Sequence, residues 1–206
     1  MIPKICNVVW LGAAMPNREK AFLENNKVIL NDYTFNVWDN TSALELISSH
    51  PVENFVKKAI QDKKWAFAAD AIKLIALEKY GGWSIDADNE ILKSFNDFLH
   101  LNWVSGFEIY HRRLKPITAV WGATPNHSFT QQLLLTYLKE DYSYLTTKAN
   151  TKWISRILFS NGIQCDNTKQ YCKNLDVTIF PANIFCGPTI DNQPTYALHH
   201  FNGSWL

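Results

Sequence analysis

The chain has 206 residues, enough for one domain with a substantial core, and residues 1–206 are expected to form a single domain. With 47% apolar residues, 20 Lys and Arg against 19 Asp and Glu, and a net charge of +1, the composition excludes intrinsic disorder and lacks the basic footprint of a nucleic-acid binder. No uncharged apolar run approaches the ~20 residues of a membrane span, so any membrane association is expected to be peripheral.

The first residues, Met1-Ile2-Pro3-Lys4-Ile5, lack the order of a signal peptide, which predicts a cytoplasmic location, at most peripheral at the inner face of a membrane. Residues 5–11 are rich in β-branched side chains, stop at Gly12, and read as a buried strand with Trp10 at its carboxyl end. A helix is predicted over residues 17–30 and a strand over residues 35–38. A second helix should start near Thr41 in a capping-box pattern whose Glu45 falls one residue late. The alternation favours an α/β sheet with ligands beyond the carboxyl ends of its strands.

From Trp65 the pattern is strongly helical, with Trp65, Ala68, Ala69, Ile72, Ile75 and Ala76 on one broad stripe. Asp70 and Lys73 fall among Phe67, Leu74 and Leu77, so this pair sits in an apolar surround. Spacing alone divides evenly between an i,i+3 ion pair and a pair that faces a ligand. Gly81-Gly82 should cap this helix. Further strands are expected over residues 104–109 and 117–121, with the basic run 111–116 between them as a solvated loop. Helices follow over residues 129–139 and 152–159, and a last short strand over 177–180. Eight Trp, eight Tyr and twelve Phe are assigned mainly to core filling. Cys6, Cys165, Cys172 and Cys186 form no CxxC pair and have no His at zinc-finger spacing, so they read as free thiols.

Residues 80–90 carry the chemistry: Tyr-Gly-Gly-Trp-Ser-Ile-Asp-Ala-Asp-Asn-Glu. If the strand runs on through them, Ser84, Asp86 and Asp88 share one face and Ile85 and Ala87 the other. Two adjacent carboxylates repel unless a cation or protons lie between them, and oxygen-rich sites suit Mg2+ or Mn2+ that also take up phosphates. An EF-hand is excluded because its sixth and twelfth positions would be Ile91 and Asp97. Glycosidase carboxylates commonly sit on different elements, ~5 to 9.5 Å apart. A phosphohydrolase with an Asp nucleophile stays open, although Glu90 stands where it usually has Thr or Val.

Three ordered motifs, Ala68-Ala69-Asp70-x-x-Lys73, Gly81-Gly82-x-x-x-Asp86-x-Asp88 and His-His-x-x-x-Ser-Trp at residues 199–205, together with Ile2-Pro3-Lys4-Ile5 and Trp10-Leu11-Gly12, resemble glycosyltransferase family 32, the DXD-containing type that includes capsular polysaccharide synthesis proteins. The resemblance implies a GT-A fold, a Rossmann-like single mixed sheet flanked by helices. It implies a retaining, metal-dependent transfer of a hexose from a nucleotide sugar, UDP favoured over GDP, to a saccharide acceptor, free or lipid-linked, in capsule, O-antigen or other surface polysaccharide synthesis. Carried over by position, Asp88 would bind Mn2+ or Mg2+ directly. Asp86 would contact the ribose and the metal through water, and His200, with His199 as the other choice, would be a further ligand. Ser204 and Trp205 would contact the pyrophosphate, Val9 and Trp10 the nucleobase, and Asp70 the sugar hydroxyls. Lys73 stands where Arg is common and Ser84 where an aromatic is usual. A non-catalytic binding module that keeps the pocket is the second reading. Acceptor specificity is expected in the loops 111–116 and 181–194.

Overall fold

The computed structural model describes residues 1–110, 113–116, 119–139, 150–187 and 194–203. Its first third alternates as predicted: β1 (Ile5–Val9), α1 (Asn17–Ile29), β2 (Thr34–Trp38) and α2 (Asn40–Ile47). The cap of α2 differs from the expected one. Asp39 is the N-cap, accepting from the backbone N–H groups of Thr41 and Ser42, and the Ser42 hydroxyl accepts in return from the Asp39 N–H. The reciprocal partner is therefore a serine three residues on, which does the same work as the usual Glu or Gln.

α3 (Glu53–Gln61) was not expected from the sequence; α4 (Trp65–Tyr80) was, and its residues Ala71 to Leu77 are buried without interruption. A helix apolar nearly all round must lie inside, and α4 is packed by α2, α3 and α5 (Ser128–Lys139) and by the sheet. β3 (Gly82–Ile85) and β4 (Asn89–Ile91) follow, then a 3-10 turn (Phe95–Phe98), β5 (Trp103–Tyr110), β6 (Arg113–Pro116) and β7 (Val120–Ala123). α6 (Asn150–Ser160), β8 (Gln170–Cys172), β9 (Val177–Phe180), α7 (Ala182–Phe185) and β10 (Ala197–His199) complete the described chain.

The main sheet runs β2-β1-β3-β7-β5-β9-β8, with β6 added to β5. β1 is parallel to β2 and β3, whereas β3 and β7 are antiparallel, so the sheet is mixed. The run expected to be a solvated loop is half strand: residues 113–116 pair antiparallel with Phe107 to Tyr110. Leu114 and Pro116 alternate there with Arg113 and Lys115, a period-2 pattern that the density of charge obscures. Residues 111–112 and 117–118 of the expected elements lie outside the described residues.

One face of the sheet is covered by α2 to α6 over a core that includes Ile72, Trp103, Trp121 and Phe129; the other carries α1 and α7 over Trp83, Phe95, Phe98, Phe180, Phe185 and Tyr196. Trp83 stacks on Phe95 at 4.2 Å between centroids, and Phe98 meets Tyr196 edge-on at 4.6 Å. β3 is seated against β1 by Gly82, whose φ of 86° and close approach leave no room for a Cβ beside the Ile5 carbonyl. The buried Asn7 amide ties the same corner together, donating to the Gly81 carbonyl at 3.2 Å and accepting from Asn36 and from the Trp38 indole.

A second, two-stranded ladder pairs β4 with β10, placing His199 opposite Asn89. It is held to α1 by Asn26, buried to 3%, whose amide donates to the Asn89 carbonyl at 2.9 Å and accepts from the Ile91 N–H at 2.8 Å. Asn26→Ala should lower unfolding stability by ~2 to 4 kcal/mol, because two buried main-chain groups lose their partner. Urea denaturation of the two proteins, at unchanged m-value, measures it.

Candidate active site

The two aspartates do not lie on a strand. β3 ends at Ile85, and residues 86–88 form a turn closed by the Asn89 N–H on the Asp86 carbonyl at 3.0 Å, while the Asp86 N–H donates to Ala119 at 2.9 Å. The expected alternation through Ser84, Asp86 and Asp88 therefore stops short. Ser84 is wholly buried inside the sheet between Asn7 and Trp121, and Asp86 and Asp88 are brought together by the turn at the carboxyl end of β3. That is where a sheet with parallel β1, β2 and β3 presents ligands.

Asp86 meets the helix behind it. The Lys73 ammonium, on α4, donates to Asp86 and, at 3.3 Å, to Asp70. The Lys73 side chain is 8% exposed and those of Asp70 and Asp86 are half-buried, so this is a three-charge cluster built around a buried ammonium and not a solvated i,i+3 pair. Burial pushes the Asp70 carboxyl up to about 6, with Lys73 opposing and Asp86 reinforcing the shift. Burial likewise raises Asp86 against the pull of Lys73. Burial opposes the charge on Lys73, but the two carboxylates outweigh it and hold the ammonium protonated.

Asp88 is bound from the carboxyl-terminal segment. Its Oδ2 accepts from the Asn202 N–H at 2.9 Å, its carbonyl from the His200 N–H at 3.2 Å, and its Oδ1 lies 3.4 Å from His199 Nε2. Burial works to raise its pKa, yet the His199 interaction and the Asn202 N–H leave it below the ordinary carboxylate value. For His199, burial disfavours the imidazolium, but the proximity of Asp88, Cys186 and Glu108 outweighs it and lifts the ring to about 11.

His199, and not His200, thus stands among the aspartates. The His200 ring stacks on Phe22 at 4.5 Å and shares a 3.0 Å hydrogen bond with Glu90. Neighbours along an extended chain point to opposite sides, so His199 at the end of β10 and His200 just beyond it do not both face the turn. Donor atoms of Asp86, Asp88 and His199 all lie within 4.8 Å of one another. Two carboxylates and an imidazole fit Mn2+ or Mg2+, and the retention of protein cations on both aspartates marks a place where positive charge is stabilised.

Val9 and Trp10 stand at the end of β1, beside the turn in the sheet order; the Trp10 indole donates to the Ala13 carbonyl at 2.8 Å, which sets its ring in the loop after the strand. Ser204 and Trp205 lie outside the described residues. Sequence reasoning missed Glu108, 3.7 Å from His199 Nδ1, and Cys186, because each comes from a separate element with no local motif around it. Among the described residues no helix is long and apolar enough to cross a membrane.

Residues 16–104 match the family model described as the glycosyltransferase sugar-binding region containing a DXD motif. No curated protein matches the sequence significantly. Among solved structures, the PaToxG glycosyltransferase superposes with a TM-score of 0.56 at 15% identity, covering 77% of this chain and 69% of that one. The UDP-bound glycosyltransferase domain from the YGT toxin gives 0.50 at 11% identity, covering 80% and 69%. The mixed sheet and its flanking helices are accordingly those of the GT-A glycosyltransferase fold, and residues 16–104 carry a sequence similar to its DXD-containing sugar-binding region.

Proposed function

We propose that the chain is a metal-dependent, retaining glycosyltransferase of the family 32 type that moves a hexose from a UDP-sugar to a saccharide acceptor, free or lipid-linked. The observation that carries this reading is the cluster of Asp86, Asp88 and His199 donors at the carboxyl end of β3, with the Asp70 and Lys73 pair directly behind it. The UDP-bound state of the YGT toxin domain supports UDP as the nucleotide. The acceptor belongs to capsule, O-antigen or other surface polysaccharide assembly, and the site of action is cytoplasmic, peripheral to the inner face of a membrane.

Asp88 and His199, with Asp86, would hold Mn2+ or Mg2+, whose chemistry is Lewis-acid stabilisation of the diphosphate leaving group. Asp86 has two oxygens, so Oδ1 can keep Lys73 while the other faces the donor. Lys73 adds a fixed positive charge for the negative charge that develops on the β-phosphate, and it holds Asp70 and Asp86 in register. As a point charge it does this without the planar fork of an arginine. Asp70 accepts hydrogen bonds from sugar hydroxyls, the Trp10 ring stacks on the nucleobase beside the Val9 backbone, and the family resemblance assigns Ser204 and Trp205 to the pyrophosphate. The acceptor hydroxyl attacks the anomeric carbon from the face that the phosphate leaves, and its proton passes to a departing phosphate oxygen.

A panel of UDP, GDP, CDP and ADP, each with and without Mn2+, should raise the melting midpoint with UDP and Mn2+ together. No shift with any nucleotide would count against the reading. Asp88→Asn should cost at least ~100-fold in turnover with the far-ultraviolet circular dichroism unchanged. His199→Ala should raise the Mn2+ concentration for half-maximal rate by ~10- to 100-fold while His200→Ala leaves it in place; the reverse order would assign the ligand to His200. Lys73→Met should destabilise the fold by ~1 to 3 kcal/mol near neutral pH by leaving two partly buried carboxylates without their cation. That deficit should narrow as the pH falls toward about 6, because Asp70 without the ammonium takes up its proton at a higher pH than in the intact protein, as denaturation at a series of pH values would record.

A further inference from the structure

His199 has two neighbourhoods. Its Nε2 faces Asp88; its Nδ1 is buried, has no hydrogen-bond partner, and lies 3.7 Å from Glu108 Oε2. On that second side, donor atoms of Glu108, Cys186 and His199 lie within 4.8 Å of one another. They come from β5, from the residue that ends α7, and from β10, so the cluster is a product of tertiary packing. Cys186 is 4% exposed, and the Glu108 and His199 side chains 13% and 12%.

We propose that Glu108, Cys186 and His199 form a second metal site, for Zn2+ or a similar borderline-soft ion, whose occupation withdraws His199 from the aspartate cluster. A thiolate, an imidazole and a carboxylate are a zinc donor set, and three protein ligands leave the fourth tetrahedral position open. The soft Cys186 thiolate, a poor ligand for hard Mg2+, disfavours that ion on this side. On binding, Cys186 Sγ gives up its proton to solvent, as does an imidazolium at His199, and Zn–S, Zn–N and Zn–O bonds form. A neutral imidazole has one free lone pair, so metal on Nδ1 leaves the proton on Nε2, pointing at Asp88. Metal on Nε2 conversely leaves Nδ1–H for Glu108, the carboxylate partner that metal-bound histidines commonly have. The two sites therefore exclude each other through one ring. The consequence for turnover rests on the transferase reading above; the metal site does not.

Co2+ is the probe, because a thiolate ligand gives a sulfur-to-cobalt charge-transfer band in the near ultraviolet. The exposed Cys165 is first replaced in Cys165→Ser. The band is expected in that protein, lost on adding Cys186→Ser or, as a second variant, Glu108→Gln, and diminished by excess Mn2+ with UDP. Absence of the band, or its survival in Cys186→Ser, would overturn the site. In parallel, Zn2+ is titrated against sugar-nucleotide turnover, each protein relative to its own zinc-free rate. Half-inhibition should move up by at least ~10-fold in Cys186→Ser; equal inhibition of both proteins would overturn the antagonism. A cobalt band in a protein that turns over no sugar nucleotide at all would overturn the transferase reading and leave the metal site standing.

Discussion

The antiparallel ladder between Asn89–Ile91 and Ala197–His199 is the constraint on which the rest of the site depends. It joins a turn from the first half of the chain to a segment more than a hundred residues later. Asn26 fixes one side of the ladder from α1, and Tyr196 anchors the other: its N–H donates to Ile184 at 2.8 Å, its carbonyl accepts from Leu92 at 2.8 Å, and its ring enters the Phe98 and Phe185 cluster. Register then decides chemistry. With His199 opposite Asn89, the imidazole reaches Asp88, whereas a one-residue slip would deliver His200 and turn His199 away.

Charge is the second organising element. Asp70, Asp86, Asp88 and Glu108 gather with side chains only partly exposed, an arrangement that is unfavourable unless cations lie among them. Lys73 meets Asp70 and Asp86 from inside the fold, and His199 meets Asp88 and Glu108 from the terminal strand. The apolar burial of α4 makes the Lys73 pairing obligatory, since an ammonium on a helix face packed between the sheet and α2, α3 and α5 has no solvent to turn to. The same packing keeps Asp70 at a fixed height above the sheet, beside the turn. Fold stability and site electrostatics are thus one problem here, solved by the same three side chains.

His199 links the two donor clusters because an imidazole is small, has nitrogens on opposite edges, and can ligate with only one while it is neutral. Glu108 contributes from a strand whose outer half pairs with β6, and Cys186 from the residue that stops α7, its N–H bonded to Ala182 at 2.9 Å. Nothing near either residue in sequence indicates a ligand. They become one only because β9 runs parallel beside β5 and the chain then turns back through α7 toward β10.

Much of the fold was legible in the sequence, for reasons that are local. β1 is a β-branched run closed by a glycine, α4 a long apolar stripe ended by Gly81-Gly82, and β9 a short apolar strand before a proline; each carries its own period or stop signal. β4, β8 and β10 did not show, being three-residue strands too short to display a period, whereas α3 does carry one in Phe55, Val56, Ala59 and Ile60 and was overlooked. By itself the sequence determined the order of the major elements, the presence of two adjacent carboxylates after Gly81-Gly82, and the odd setting of Asp70 and Lys73, because spacing and side-chain chemistry are read along one dimension. Only the tertiary structure decided that Asp86 and Asp88 sit on a turn, that Lys73 bridges Asp70 to Asp86, and that His199 and not His200 joins them. Those outcomes depend on strand register and on contacts across the chain, which side-chain periodicity does not encode.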